Sequence, residues 1–141
     1  MPQELLNNLN KPFLQWEYDK ENDWLYLNWI GFVSHENIIK GANLILEVVR
    51  KEHYAYILND NRQLLGPWDR SNDHLECNWV PQVKEAGLQY FAHVLAPNVA
   101  GALSAQDLHR RTTDAFTMQI FGDVKKAEQW LKNMQMQSYA L

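Results

Sequence analysis

Two short stretches, YAYILN at 54–59 and LQYFAHVLA at 88–96, are apolar at nearly every position. A strand of that kind has no polar face to give to water, so it must be covered above and below. Around these runs the chain alternates between period-2 and period-3.6 patterns. That alternation favours a mixed sheet with parallel crossovers and helices packed on it. The predicted order is β-β-α-β-α-β-α-β-α, a single-domain α/β fold that begins with a β-hairpin.

The hairpin is read at 13–19 and 24–32. Leu14, Trp16 and Tyr18 share one face of the first strand, and Leu25, Leu27 and Trp29 one face of the second. The intervening DKEND is charged and turn-prone. Ser34 then caps a helix whose Ile38, Ala42, Ile45 and Val49 form one stripe, with Arg50 and Lys51 near its end. A second helical region over 69–86 buries Leu75, Trp79, Val83 and Ala86, and Gly87 suits its C-terminal turn. Pro81 interrupts it, which predicts a kink or two short helices. Ser104 is read as a cap in the next helix, Phe116–Phe121 as the last strand and Asp123 as the cap of a terminal helix with Ala127, Trp130, Leu131 and Met134 inward. Residues 1–12 are expected to be a loose or short helical lead-in, 13–136 the domain and 137–141 a tail.

At 141 residues, 46% hydrophobic, the chain is long enough to bury one full core. The net charge is −4 and the Lys and Arg are scattered, which argues against nucleic acid as a partner. No apolar run approaches the roughly 20 residues of a membrane span. The opening MPQELLNNLNKPF has no basic-then-apolar secretory pattern, so a cytoplasmic location is expected. One cysteine, Cys77, rules out an intramolecular disulfide or a cysteine-based zinc cage.

Two stretches carry a family resemblance. IFGDVKKAEQWL (120–131) looks like a closing strand, short turn and helix with a buried Ala and Trp-Leu. NWVPQVKEAGLQYFAHVLA (78–96) is similar to a Trp, Pro, Gly and strand-Ala pattern in uncharacterised bacterial members of the same family. Together with element order over about 13–132, they resemble the SpoIIAA-like branch of the STAS fold, related in architecture to CRAL-TRIO lipid carriers. The resemblance implies one of three roles: a phosphorylation-switched partner-binding module, a nucleotide binder or a carrier of apolar ligands. It also implies a phospho-acceptor serine in an Asp-Ser pair at the start of a helix after a central strand. The comparable stretch here is WDRSND, where Arg70 separates Asp69 from Ser71.

The candidate site is the segment 59–73, placed where the strand ends at the sheet's carboxyl edge. Asp60, Arg62, Trp68 and Asp69 would border a cleft for a polar group or a partner's side chain. Equally, Asn59, Asp60 and Asn61 satisfy a turn with Gly66-Pro67 completing the bend. Trp68 and Trp24 are expected to be partly exposed, and Trp68 is the contact residue of choice. Ser71 is either the phospho-acceptor or a helix cap, alone or beside Asp69. His74 and Cys77 lack a second ligand cluster, so no metal is expected, and His93 reads as a hydrogen-bonded structural histidine. HRRTT (109–113) is the compact basic run, either solvated or a receiver of a phosphate or acidic partner. No glycine-rich phosphate loop or nucleophile elbow is present, and neither enzymatic activity nor a cofactor is expected.

The leading functional reading is a non-enzymatic regulatory or protein-interaction module that works through 59–73 and self-associates, as a homodimer or with an unidentified protein partner. The alternative is a carrier of a small apolar or lipid-like ligand, held between the sheet and the helices at 34–52 and 72–86.

Overall fold

The computed structural model describes residues 2–112 and 114–139. Six strands lie in the order β1-β2-β3-β4-β5-β6: Gln3–Leu6, Pro12–Asp19, Trp24–Phe32, Tyr56–Leu65, Tyr90–Val94 and Thr117–Phe121. The first three pair antiparallel, and β3 through β6 pair parallel. The β2–β3 hairpin appears where the alternation put it. The expected lead-in does not: Gln3–Leu6 is a strand on the edge of the sheet, with Leu5 opposite Leu14. Its four residues carry too short a pattern to announce a strand, and pairing with β2 supplies what the sequence lacks.

The helices are α1 (His35–Glu52), α2 (Asn72–His74), α3 (Val80–Glu85), α4 (Val99–Arg111) and α5 (Val124–Tyr139). The last runs through the first residues of the expected tail. Each crossover from β3 to β6 steps the same way across the sheet, and right-handed connections that all step one way fall on one face. Accordingly α1, the 69–85 region and α4 share a core with Leu27, Trp29, Ile57 and Phe91. The opposite face carries a smaller core in which α5 contributes Ala127 and Leu131 against Trp24, Leu58, Ala92 and Val94. Trp24 is therefore buried rather than exposed.

Local signals account for most helix ends. The Ser34 side chain accepts from the Asn37 N–H at 3.1 Å, a cap that stabilises α1 by about 1 kcal/mol. Between Asp69 and Glu85 the chain winds as a 3₁₀ turn (Asp69–Ser71), α2, a π turn (Leu75–Trp79) and α3. Pro81 thus falls in the first turn of α3, directly after a π turn whose last bond runs from the Val80 N–H to the Leu75 carbonyl, and the expected interruption takes the form of a change in winding. Gly87, at φ +121°, closes α3 with paired bonds from Gly87 N–H to Lys84 O and from Leu88 N–H to Val83 O. Two caps differ from expectation. Asn98, not Ser104, caps α4, by accepting from the Gly101 N–H. Neither Asp69 nor Ser71 caps with its side chain.

Trp29 packs closely against α1 because position 41 is glycine: a Cβ there would meet the indole at 2.5 and 2.9 Å. Gly41→Ala is expected to destabilise the fold by about 1–3 kcal/mol through overpacking. Urea denaturation should show a lower midpoint at unchanged slope.

Candidate functional site

The sequence placed Asn59-Asp60-Asn61-Arg62 in a loop, whereas β4 runs through them to Leu65. The strand tolerates four polar residues because side chains alternate across it. Asn59 and Asn61 enter the α1 face. Asp60 goes to the α5 side, where it meets Tyr26. A bulge follows, since Asn28 is opposite Asp60 but Ile30 is opposite Gln63, one residue more on β4 than on β3. The extra residue reverses the alternation and brings Leu64 back into the larger core.

Asp60 is 1% exposed. Its carboxylate accepts from the Tyr26 hydroxyl at 2.7 Å, the Arg62 backbone N–H at 3.0 Å and the Arg62 guanidinium at 2.8 Å. Burial is the largest influence on this group and pushes its pKa up. The hydrogen bonds from Arg62 and Tyr26 together outweigh burial and hold it below the usual carboxylate value. Burial and the same carboxylate push the Tyr26 hydroxyl up to about 12. Arg62 borders a shallow open groove with Tyr18, Tyr26 and Glu128. The expected cleft of Asp60, Arg62, Trp68 and Asp69 is not formed, because Trp68 lies on the other side of the sheet.

Trp68 is 8% exposed, not a surface contact. Its backbone N–H donates to the Ser104 hydroxyl at 3.0 Å, and its ring faces His93 at a centroid distance of 6.0 Å. The Asn72 amide donates to the Ser104 carbonyl and the Asp107 carboxylate, docking the 68–72 turn onto α4. Ser71 is 1% exposed, with its Oγ 2.9 Å from Nδ1 of His35. Of the five candidates, Arg62 and Asp69 are exposed, and Arg62 is tied to Asp60. In HRRTT, Arg111 joins Asp107, Asp73 and Glu76 and so ties α4 to the 69–85 region. Arg110 pairs with Asp107, and Thr113 lies outside the described residues. Cys77 is exposed, and among the described residues no group of three or more His, Cys, Asp or Glu could hold a metal ion.

What the fold does bring together is a polar cluster inside an apolar cavity. Asn59 on β4 is the lateral neighbour of His93 on β5. The Trp29 indole N–H donates to Asn59 Oδ1 at 2.9 Å. Asn59 Nδ2 approaches His93 Nδ1 at 3.1 Å and Asn61 Oδ1 at 3.3 Å, and Asn61 Nδ2 approaches His93 Nε2 at 3.1 Å. These groups edge a cavity of about 60 Å³ between the sheet and α1, the 69–85 region and α4. Leu27, Ile38, Ala42, Ile45, Leu75 and Leu108 supply apolar wall, with Trp68, Trp79 and Phe91 as aromatic wall. The cavity lies in the space that the resemblance to lipid carriers implied for an apolar ligand. Its polar members were legible only as a period-2 continuation through Asn59 and Asn61, and nothing in the sequence pairs them with His93.

Several solved structures resemble this one. A crystal structure of an uncharacterised protein from the DUF3478 family with a SpoIIAA-like fold, from Shewanella loihica, matches with a TM-score of 0.56. It is 16% identical, over 84% of this chain and 91% of that chain. The chain thus has a SpoIIAA-like fold, as the resemblance implied, and at that identity the likeness speaks for fold alone. No family model matches the sequence, and no curated protein matches it.

Burial pushes His93 down to about 4 from 6.5 and keeps the imidazole neutral at pH 7. The folded value lies below the unfolded one, so the unfolded chain binds the extra proton as pH falls. His93 therefore contributes stability that is complete above about pH 6.5 and is lost progressively down to about pH 4. At 1.36 kcal/mol per pH unit the loss approaches about 3 kcal/mol. Urea midpoints measured across that window should fall with acid in the native sequence and flatten in His93→Gln.

Proposed function

We propose that this protein is a binding module that holds one small, mostly apolar molecule in the cavity between the sheet and α1. The observation that carries this reading is a largely apolar cavity with a few convergent polar groups at its edge, the usual make-up of a small-molecule site. Its volume, well below the roughly 150 Å³ of a cavity that takes up benzene, suits a molecule of a few heavy atoms and excludes a lipid chain. Recognition is favoured over catalysis by the chemistry of the wall. A histidine at about 4 is a weak general base at neutral pH, and amides and indoles orient ligands rather than react with them. Isobutene is a suitable first probe. At a hundredfold its Kd it should stabilise the protein by about 2.7 kcal/mol, read as a raised melting temperature. Ala42→Leu, which puts a larger side chain into the cavity wall, should remove that rise while keeping the native circular dichroism spectrum. A native protein that no apolar probe stabilises would end this reading.

A second reading, the self-associating interaction module, is favoured by a different surface from the one first expected. Phe32 and Leu65 are exposed and stand opposite each other at the carboxyl ends of β3 and β4. Exposed Val99 follows Asn98, whose amide donates to the Leu64 carbonyl, and Leu103 lies one helical turn on. A contiguous apolar end of this sort favours association. Light scattering should give a dimer mass that Phe32→Asp returns to monomer; an unchanged mass would remove this surface from consideration.

A further inference from the structure

The cavity has more hydrogen-bond donors than acceptors, and the excess survives every way of assigning its protons. Asn59, Asn61 and His93 form a closed ring of three contacts, and Trp29 adds a fixed donor to Asn59. With the Asn59 oxygen engaged by that indole, its NH₂ is the donor toward both Asn61 and His93. Nδ1 of the neutral imidazole then accepts, so Nε2 carries the hydrogen and faces the Asn61 NH₂, donor against donor. The other tautomer only moves the conflict to Nδ1. Turning the Asn61 amide moves it to the Asn59–Asn61 contact, and turning Asn59 opposes two donors at Trp29. A neutral imidazole has one N–H and one acceptor, so one contact always fails. Two further donors add to this. The buried indole N–H groups of Trp68 and Trp79 have no acceptor among the described residues, and both rings line the cavity. Unsatisfied buried donors of this kind cost about 1–3 kcal/mol each.

We propose that the cavity is built for a neutral hydrogen-bond acceptor: an apolar molecule of a few heavy atoms carrying a carbonyl-type oxygen and no donor. Such an oxygen would accept from the N–H groups that the protein leaves unmatched, while the apolar body meets Ile38, Ala42 and Leu108. A neutral ligand is preferred to an anion because no cationic side chain lines the cavity, and an unpaired charge taken out of water is far more costly than a polar group. This inference rests on the small-molecule reading above and narrows it to one ligand class.

Acetone and isobutene have the same shape and differ in C=O against C=CH₂. The ketone is far better hydrated, so a cavity that offered its oxygen no donor would bind it much more weakly than the alkene. Titration into the full chain, followed by protein NMR, should give the ketone a Kd no higher than that of the alkene. Trp68→Phe and Trp79→Phe each remove one unmatched donor. Each should raise the acetone Kd relative to that of isobutene, which still binds. An acetone Kd above that of isobutene in the native protein would overturn the acceptor inference and leave the apolar site standing. A ratio that stays unchanged in both variants would overturn it too, by placing the donor elsewhere. Binding of neither compound, as expected of a cavity that holds only water, would overturn both the inference and the reading under it.

Discussion

The handedness of three crossovers governs this molecule. Because the connections after β3, β4 and β5 all step in one direction, α1, the 69–85 region and α4 must share one face of the sheet. Three helical elements that differ in length and regularity do not tile a twisted sheet as evenly as matched helices would. The middle one changes from 3₁₀ to α to π to α within 17 positions, as 69–85 are numbered. Where it passes over β4 and β5, the cavity is left. The opposite face is covered by α5 alone, and there the apolar cluster is smaller and Asp60 is met by Tyr26 and Arg62 instead of by a helix.

The two faces of β4 handle polar burial differently. On the α5 side Asp60 is satisfied by charge-assisted bonds from a neighbour two residues away, so the ion pair closes on itself and needs nothing further. On the α1 side Asn59, Asn61 and His93 have only neutral partners, and their contacts cannot all be made at once. Buried polar networks are stabilising when every member is satisfied and a burden when one is not. A fold that keeps an unsatisfied network beside a cavity, walled by indoles that also lack partners, has placed its recognition chemistry where an outside molecule can complete it.

The ties that hold the cavity's roof are short and polar. Ser104 receives the Trp68 N–H and passes its own hydrogen to the Ala100 carbonyl, and Asn72 reaches the same turn of α4. Arg111 adds ion pairs to Asp73 and Glu76 farther along. Residues that looked like a cap and a basic patch are thus used to dock the 69–85 region onto α4, while Ser71, which looked like a switch, meets His35 at the start of α1. Trp68 is drawn inward by this docking, since its backbone is clamped at the same point at which its ring meets His93.

By itself the sequence determined the element order from β2 onward, the hairpin, the stripe of α1, the Gly87 turn and the break in regular winding near Pro81. These follow from patterns within some ten to twenty residues, where side-chain period and cap chemistry act directly. Tertiary structure decided the rest. It recruited Gln3–Leu6 as a sixth strand, because an edge strand is stabilised by its neighbour more than by its own residues. It turned a polar cluster from loop into bulged strand, because β3 and β5 on either side supply the ladder that the local sequence does not announce. It brought His93 to Asn59 and Asn61, a contact set by parallel register across more than thirty residues of chain. No local period encodes a register between strands, so the chemistry of the site exists only once the sheet is assembled.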